Sequence, residues 1–490
     1  MQSVLTKEQF SALSFGTVDA ENDDLLIEAF VKTESFHNIL NGPAWLVLGP
    51  KGSGKSAIYK YLNSTRDHST FVRTLLFKEY PWAAHEALGT SDTYAYTASW
   101  DYFNVLQLMQ LVVEDQSAAT DADLYKTIET FFRTNWLTLS PAPEIITRKQ
   151  KVVFAPEAGG FKLFNVDSNE IGLSDLVKTL SFVLKDLTVR LLEALNRDHR
   201  YWIIFDELDH GFDAGESRYN AMLIGLLQSV RKMNEYARDV GRSVKFLVLL
   251  RSDIFNVLEF GDKNKIRMSN SITLRWSDKE DSPESLKRLM ERRIIASLGE
   301  QFPESWRSDP WSLVFDETQE MPGRRSKFSF MCDLTRLRPR DAIAYCNIAL
   351  EKARARNCPP YRITNDDMNA AREEYSTYFK SEVEDETRRH KFPYDEALAL
   401  LEAHRIMSFT RDDLARTFER QRKVLSRLAT YGLEDILKSL WELGVIAQQT
   451  PGRAYEFVFE KPTATFSRIA ERFRVHYGLK EALQLIQERS

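Results

Sequence analysis

Gly49-Pro50-Lys51-Gly52-Ser53-Gly54-Lys55-Ser56 follows an apolar run of strand length, Ala44–Leu48, and opens a helical stretch. The eight residues fit the pattern G-x-x-x-x-G-K-[ST], in which glycines let successive backbone N–H groups point at phosphate oxygens. A preceding strand and a following helix are the setting that phosphate binding requires, whereas a chance match in a surface loop would lack them. We therefore predict that these residues and Ala57 bind a nucleotide, with Lys55 on the β- and γ-phosphates and the Ser56 hydroxyl on Mg²⁺.

A second apolar run, Tyr201–Phe205, ends in three carboxylates: Asp206, Glu207 and Asp209. Enzymes with this kind of loop hold Mg²⁺ through an acidic residue at the end of a neighbouring strand, and Asp206 fits that role. Glu207 is placed to polarise water for attack on the γ-phosphate, which favours hydrolysis over transfer to a small molecule. The alternative is that the acids only keep the strand end soluble. Asp209 has two possible roles: it supports the Mg²⁺ site, or it begins the next helix.

Short apolar runs alternate with amphipathic stretches through the first half of the chain, which predicts an α/β domain with a parallel sheet. Continuously apolar strands are typical of a parallel sheet buried on both faces. The predicted strands are Ala44–Leu48, Phe71–Phe77, Tyr201–Phe205, Val244–Leu250 and Ile272–Trp276, and the main helices are Leu173–Leu195 and Asn220–Arg238. The second and third strands are too far apart for one crossover. We expect an insertion at about residues 90–170, with helices at Trp100–Glu114 and Asp123–Trp136 and a hairpin-like segment.

The second half of the chain is predicted to be almost wholly helical, and its last part has the element order of a winged helix. Lid helices are predicted at Glu284–Leu298, Pro339–Arg356 and Asn365–Phe379, and the charge-rich Lys380–Lys391 is interpreted as a linker. Three further helices, Tyr394–Ala403, Arg411–Phe418 and Leu433–Leu443, precede a hairpin of Val445–Gln449 and Tyr455–Phe459. We place the α/β core at residues 1–276, a helical lid at 277–380 and a winged-helix domain at 392–490.

Composition narrows the class of protein. The composition, 43% hydrophobic and 28% charged, is ordinary for a globular protein. The length of 490 residues exceeds what one hydrophobic core usually serves, so we expect two or three domains. The net charge of −5 gives no overall basic field that would indicate a nucleic-acid or membrane partner. Three isolated cysteines show no metal-ligand spacing. No segment resembles a signal core or the ~20 apolar residues of a membrane helix, so we expect a cytoplasmic protein with no membrane partner.

The motifs together resemble the AAA+/STAND division of P-loop ATPases. The layout of core, lid and winged helix is similar to origin-recognition and archaeal-initiator ATPases, and the sequence resembles bacterial P-loop ATPases of the FunZ type more closely still. The resemblance spans about residues 10–380 and is thin through the insertion. The matching segments are Phe15–Ala20, Gly49–Ser56, Phe205–Asp209, Leu249–Phe255, Asp262–Lys265, Leu274–Trp276 and Arg338–Asp341.

The resemblance implies ATP as the nucleotide, hydrolysis with Mg²⁺, and roles for several arginines. Arg251, at the end of the fourth strand, matches the sensor 1 position, and Arg340, with Arg338 beside it, matches the sensor 2 arginine of the lid. A planar guanidinium can donate two hydrogen bonds to a phosphate. The alternatives are that Arg251 only caps the end of a strand and that Arg340 is only a solvated residue at the start of a helix. Arg267 lies where such rings supply an arginine finger to the next subunit, which would require a homo-oligomer; a solvated charge cluster is the favoured alternative. The segment Phe15–Phe30 matches the adenine cradle.

The winged helix leaves two functions open. Its third helix, which would enter a major groove, carries Glu434, Asp435 and Glu442 against Lys438, and such a helix reads a polyanion poorly. We therefore favour a nucleotide-dependent regulatory switch whose winged helix docks a partner protein, and the resemblance adds bacterial antiviral defence as its setting. The alternative is a DNA-associated ATPase of initiator or loader type that grips phosphates through the basic stretch 411–427. The paired acids at the strand end argue against a third hypothesis, a purely structural nucleotide-binding protein.

Overall fold

The structure is a computed structural model of the chain, and it describes residues 5–78, 93–118, 122–136, 152–157, 160–165, 173–211, 217–388, 390–452, 454–461 and 464–487. The chain forms two compact units. The sheet unit comprises residues 35–50 and 58–274, and the loop–lid unit comprises residues 1–34, 51–57 and 275–490. The phosphate loop from Lys51 to Ala57 therefore belongs to the loop–lid unit, although the strand before it belongs to the sheet unit.

The sheet unit is built on a parallel sheet with strand order β2-β5-β6-β1-β7. The strands of this unit within the described residues are β1 Leu46–Gly49, β2 Thr70–Leu76, β3 Val152–Glu157, β4 Gly160–Asn165, β5 Arg200–Asp206, β6 Val244–Arg251 and β7 Ser271–Thr273. The central strands β1, β5 and β6 are almost continuously buried, as expected for a parallel sheet covered on both faces. All five predicted core strands are confirmed, with their ends shifted by a few residues.

The helices predicted for the first half of the chain are confirmed. Before residue 275 the described ranges hold α1 Lys7–Ala12, α2 Glu34–Asn41, α3 Lys55–Ser64, α4 Thr93–Glu114, α5 Ala122–Trp136, α6 Leu173–Ala194, α7 Ser217–Val240, α8 Ser252–Val257 and α9 Lys263–Ser269. In the region of the expected insertion, α4 packs on α7, where the Trp100 indole donates to the Met222 carbonyl at 2.9 Å. The strands β3 and β4 form an antiparallel hairpin. The rest of that region, residues 137–151 above all, lies outside the described residues.

The loop–lid unit contains the helices of the predicted lid followed by a winged helix. The helices described here are α10 Leu286–Leu298, α11 Pro310–Val314, α12 Lys327–Leu334, α13 Pro339–Arg356, α14 Asn365–Ala370, α15 Arg372–Thr387, α16 Tyr394–His404, α17 Arg411–Gln421 and α18 Leu433–Glu442. The strands are β8 Ser408–Thr410, β9 Ile446–Gln449, β10 Tyr455–Glu456 and β11 Arg472–Val475, paired antiparallel in the order β10-β9-β11-β8. The predicted α/β class with a helical lid and a winged helix is confirmed. The sheet of the winged helix contains two strands, β8 and β11, in addition to the predicted hairpin of β9 and β10.

The linker predicted at Lys380–Lys391 is wrong for residues 380–387, because α15 continues to Thr387. Tyr375, Phe379 and Val383 recur every fourth residue and are all buried, so the helix has a packed stripe that passes through the charged segment. The predicted helix Asn365–Phe379 is divided between α14 and α15. The domain boundaries themselves remain predictions. None of the described helices is long and apolar enough to cross a membrane.

Candidate nucleotide site

The phosphate loop has the backbone that its glycines predict. Gly52 has a φ of 79° and Gly54 a φ of 95°, both in the left-handed region that side chains with a Cβ rarely adopt. A Cβ built on Gly54 would meet no atom within 4 Å, so the loop is open on that side. The helix α3 begins at Lys55, and Ser56 lies in its first turn. The strand-loop-helix setting predicted for the motif is therefore confirmed.

Ser53 supplies a test of whether this loop fits a ligand. Its carbonyl accepts a hydrogen bond from the Trp276 indole at 2.9 Å, which fixes the loop within its unit. Its hydroxyl is buried and has no hydrogen-bond partner among the described residues. Burying a hydroxyl without a partner is costly, so the loop keeps a polar group that a phosphate oxygen could satisfy.

Two lid arginines lie against the loop at the start of α13. Arg338, the N-cap residue, donates through Nη1 to the Lys51 carbonyl at 3.1 Å. The Arg340 backbone N–H lies 3.4 Å from the Gly52 carbonyl. A Cβ on Gly52 would stand 2.9 Å from the Arg340 Cβ, so only glycine allows this approach. The residues predicted for sensor 2 therefore contact the predicted phosphate loop.

A buried ion cluster fixes Arg338. Oε2 of Glu386 accepts from Nη1 of Arg336 at 2.9 Å and from Nη1 of Arg338 at 3.0 Å. The side chains of Arg336, Arg338 and Glu386 are only 1%, 9% and 6% exposed. Burial alone would lower the pKa of Arg336, but the carboxylates of Asp341 and Glu386 raise it above its ordinary value. The two carboxylates therefore favour the charged form of Arg336.

A second, more open pair holds Arg340. Oε2 of Glu382 lies 3.3 Å from Nη1 of Arg340 and 3.6 Å from Nζ of Lys51. The side chains of Glu382, Arg340 and Lys51 are 17%, 25% and 28% exposed. One carboxylate oxygen of α15 thus faces both a cation of the loop and a cation of the lid.

The sheet unit carries the predicted acids at the end of β5. Asp206 is buried, and its backbone carbonyl accepts from the Phe77 N–H at 3.1 Å, which ties the end of β5 to the segment after β2. Glu207 has a φ of 58°, in the left-handed region, where a glutamate is strained by roughly 1–3 kcal/mol. Backbone strain of this kind is concentrated at functional sites, which supports the catalytic role predicted for Glu207.

Arg251 ends β6, where its Cα is paired in register with Gly49 of β1. Its guanidinium binds Asp253 in a two-pronged arrangement, with Nε–Oδ1 at 3.1 Å and Nη2–Oδ2 at 2.6 Å. Nη1 lies 3.4 Å from Oδ2 of Asp209. Arg251 therefore lies beside the strand that leads into the phosphate loop, and two carboxylates hold it there. The sequence left Asp209 open, and in the structure it is an ion-pair partner of the predicted sensor 1 arginine.

The predicted arginine finger lies on α9. Arg267 is exposed, and its guanidinium lies 5.3 Å from the centroid of the Phe255 ring and hydrogen-bonds Asn256. Lys263 donates to the carbonyls of Asn256 and Leu258 at 2.7 and 2.6 Å, at the end of α8. Both contacts lie within the sheet unit, and the role of Arg267 in a neighbouring subunit stays a prediction.

The predicted adenine segment is fastened to the lid helices. Gly16 has a φ of 79°, and its carbonyl accepts from Asn347 at 2.8 Å. Arg293 donates to the Phe15 carbonyl at 2.7 Å and pairs with Asp23 at 2.6 Å; both ionic side chains are almost fully buried. A buried pair of this kind fixes the segment, because removing either partner would leave an unpaired charge.

Three of the six basic residues in the stretch 411–427 of the winged helix form ion pairs with neighbouring carboxylates. Arg416 pairs with Asp413, and Arg422 pairs with Glu419 at 3.1 Å. Arg427 binds Glu396 at 2.9 Å. On α18, Lys438 lies 3.7 Å from Glu442. The stretch therefore presents a mixed surface, which is weak support for a phosphate-gripping face.

Comparison with known families identifies one part of the chain. Residues 284–384 match the FunZ-associated C-terminal helical domain. The FunZ-associated domain therefore contains Arg338, Arg340 and Glu382, and the predicted resemblance to FunZ-type proteins is confirmed over this segment. No curated protein sequence matches the chain.

Solved structures with a similar chain path include two archaeal proteins. The Aeropyrum pernix ORC2 protein, in ADPNP and ADP complexes, is 12% identical with a TM-score of 0.38 over 97% of this chain and 95% of that one. The Aeropyrum pernix ORC1 protein in complex with DNA is 13% identical with a TM-score of 0.35 over 92% and 89%. With TM-scores this low, neither similarity bears on the function of this chain.

The residues of these clusters that the sequence did not predict include three carboxylates. Asp253 lies two positions after Arg251, and such a nearby opposite charge was visible as a signal. Glu382 and Glu386 lie one helical turn apart in the segment interpreted as a linker. The four-residue period of Tyr375, Phe379 and Val383 could have extended the helix through that segment, but nothing local indicates which arginines the carboxylates bind.

Proposed function

We propose that the chain binds and hydrolyses ATP and acts as a nucleotide-dependent regulatory switch. The observation that carries the proposal is the contact between the phosphate loop and the start of α13 within the loop–lid unit. Arg338 and Arg340 touch the carbonyls of Lys51 and Gly52, so a nucleotide in the loop would act directly on the lid.

The chemistry assigned to each residue follows from its type and from the motif. Lys55 and the loop amides hold the phosphates, and Arg251 and Arg340 supply guanidinium groups for the γ-phosphate. Glu207 orients the attacking water. Ser56 and Asp206 offer the oxygen ligands that Mg²⁺ prefers, and Mg²⁺ bound with the nucleotide would neutralise part of the phosphate charge.

The winged helix is proposed to dock a partner protein. The ion pairs of Arg416, Arg422 and Arg427 reduce the charge available to DNA, which favours a protein partner over the initiator or loader hypothesis. The setting that we propose for this regulatory role is bacterial antiviral defence, which only the FunZ-type resemblance implies.

The deciding experiment measures ATP hydrolysis by the wild type, by Lys55→Ala and by Lys60→Ala, which changes a lysine of the same helix outside the motif. Each is assayed with and without single- and double-stranded DNA at two salt concentrations. We expect slow hydrolysis that is lost in Lys55→Ala, kept in Lys60→Ala and indifferent to DNA. Several-fold stimulation by DNA that falls with salt would favour the DNA-associated alternative, and wild-type protein that binds no nucleotide would refute both.

We interpret Arg267 as part of a solvated charge cluster, and the alternative to be tested is a homo-oligomer in which Arg267 acts in the neighbouring subunit. Arg267→Ala should then reduce hydrolysis, and the wild-type rate per chain should rise with protein concentration. Equal rates for wild type and variant at every concentration would exclude the finger and leave Arg267 as a solvated residue of α9.

A further inference from the structure

Glu382 is the carboxylate of the lid that faces the phosphate loop. One of its oxygens lies within 3.6 Å of Lys51 Nζ and within 3.3 Å of Arg340 Nη1. Lys51 belongs to the predicted phosphate-binding residues, and Arg340 is the predicted sensor 2 arginine. An anionic group is therefore already bound to one cation of the predicted phosphate loop and to the predicted sensor arginine.

The exposure of the two carboxylates of α15 separates their roles. Glu386 and its arginine partners are at most 9% exposed, so breaking that cluster would leave charges buried and unpaired. Glu382 and its partners are 17–28% exposed. A pair that is partly open to water shifts an equilibrium by no more than about five-fold, so another anion can displace Glu382 without disturbing the fold.

The position of Arg340 would also allow it to bind a phosphate in place of Glu382. Its backbone is held against Gly52, so the start of its side chain is fixed beside the loop. Its Nε is buried and has no hydrogen-bond partner among the described residues. The guanidinium thus has a donor to spare, and a phosphate with three oxygens can use two donors where Glu382 engages one nitrogen.

We propose that Glu382 is a positioning residue, which holds Lys51 and Arg340 when the loop is empty and releases Arg340 to the γ-phosphate of a bound nucleoside triphosphate. This inference rests on the proposed ATP binding and deepens it. Glu382 then competes with the terminal phosphate, so it weakens triphosphate binding more than diphosphate binding. Release also frees α15 from the loop, while Glu386 keeps Arg338 in place.

The test is the ratio of ADP to ATP dissociation constants, measured by calorimetry with Mg²⁺ for the wild type, Glu382→Gln and Glu382→Asp. Neutral glutamine keeps the shape of the side chain but cannot compete as an anion. We expect Glu382→Gln to bind ATP about five-fold more tightly and ADP less than about two-fold more tightly. Glu382→Asp keeps the charge and should stay nearer the wild-type ratio. A merely structural role of Glu382 would change both affinities together.

A double-mutant cycle identifies the cation that is released. In an Arg340→Ala background, Glu382→Gln should alter ATP affinity by less than about two-fold, because the competing partner is gone. Glu384→Gln, an exposed carboxylate of the same helix, should match the wild type. An unchanged or weakened ATP affinity in Glu382→Gln, while the wild type still binds ATP in a Lys55-dependent way, overturns this inference alone. Absence of ATP binding by the wild type overturns the proposed function and this inference with it.

Discussion

The two candidate sensor arginines differ in where their carboxylate partners come from. In the sheet unit, Arg251 is bound by Asp253, two residues further along the chain, and by Asp209. In the loop–lid unit, Arg340 is bound by Glu382, which reaches it from another helix. The Asp253 contact is local and forms wherever the strand-helix junction forms, although the Asp209 contact joins residues 42 positions apart. The Glu382 contact depends wholly on packing of α13 and α15, so it can report a change in that packing.

The largest expected effect tests the strand end of the sheet unit. Glu207→Gln should lower kcat by about 10²–10⁴-fold, because an amide cannot accept the proton of the attacking water, and ATP affinity should change little. The measurement is steady-state hydrolysis beside equilibrium ATP binding. Glu235→Gln, an acid of α7 paired with Arg231, is the matched control and should hydrolyse ATP like the wild type. Equal loss of ATP binding and of hydrolysis would show that Glu207 has a structural role at the end of β5 and not a catalytic one.

The next largest effect is a difference in the free energy of unfolding between variants of Glu386 and Glu382, two carboxylates of α15. Glu386→Ala should lower the free energy of unfolding by about 3–5 kcal/mol, because buried Arg338 would lose its carboxylate partner and buried Arg336 would keep only Asp341. Glu382→Ala, whose pair is partly open to water, should cost about 1 kcal/mol or less. Urea denaturation of the two variants provides the comparison. Similar losses in both would show that the difference in exposure does not set the difference in strength.

A pH effect of intermediate size is expected beside the same cluster. His476 is buried against Phe379, with ring centroids 4.9 Å apart, and burial together with Arg336 lowers its pKa to about 3. The unfolded chain takes up a proton near pH 6.5, whereas the folded protein does so only near pH 3. The stability contributed by neutral His476 is therefore complete above about pH 6.5 and is lost as the pH falls toward 3, by roughly 2 kcal/mol between pH 7 and 5.

The check is urea denaturation of the wild type and His476→Gln at both pH values. The glutamine variant should lose less stability than the wild type between pH 7 and 5, since it has no imidazole to titrate. His37→Gln, which changes an exposed histidine, should follow the wild-type profile. Parallel profiles for wild type and His476→Gln would contradict a buried neutral imidazole.

The smallest expected effect is a change in ATP affinity when a carboxylate partner of Arg251 is neutralised. Asp253→Asn should tighten ATP binding by only about two- to three-fold, because Asp209 still holds the guanidinium after one carboxylate is neutralised. Competition binding with a fluorescent ATP analogue resolves a change of this size. An effect larger than that of Glu382→Gln would reverse the comparison and make the sheet unit the more responsive of the two regions.

The sequence by itself determined the features that depend on local chemistry. The loop from Gly49 to Ser56 needs its glycines for left-handed backbone, and the continuously apolar strands follow from burial on both faces of a parallel sheet. The winged-helix order followed from helical periods and a turn. These signals lie within a few residues of one another, so one sequence suffices to find them.

Only the tertiary structure decided which charges meet. Arg336, Arg338 and Arg340 precede Glu382 and Glu386 by more than forty positions, and the acids lie in a segment whose charge pattern indicated a linker. The burial of Phe379 and Val383 makes that segment a helix and brings its carboxylates to the loop. Packing of this kind depends on which faces of distant helices fit together, and no local pattern of charges contains that information.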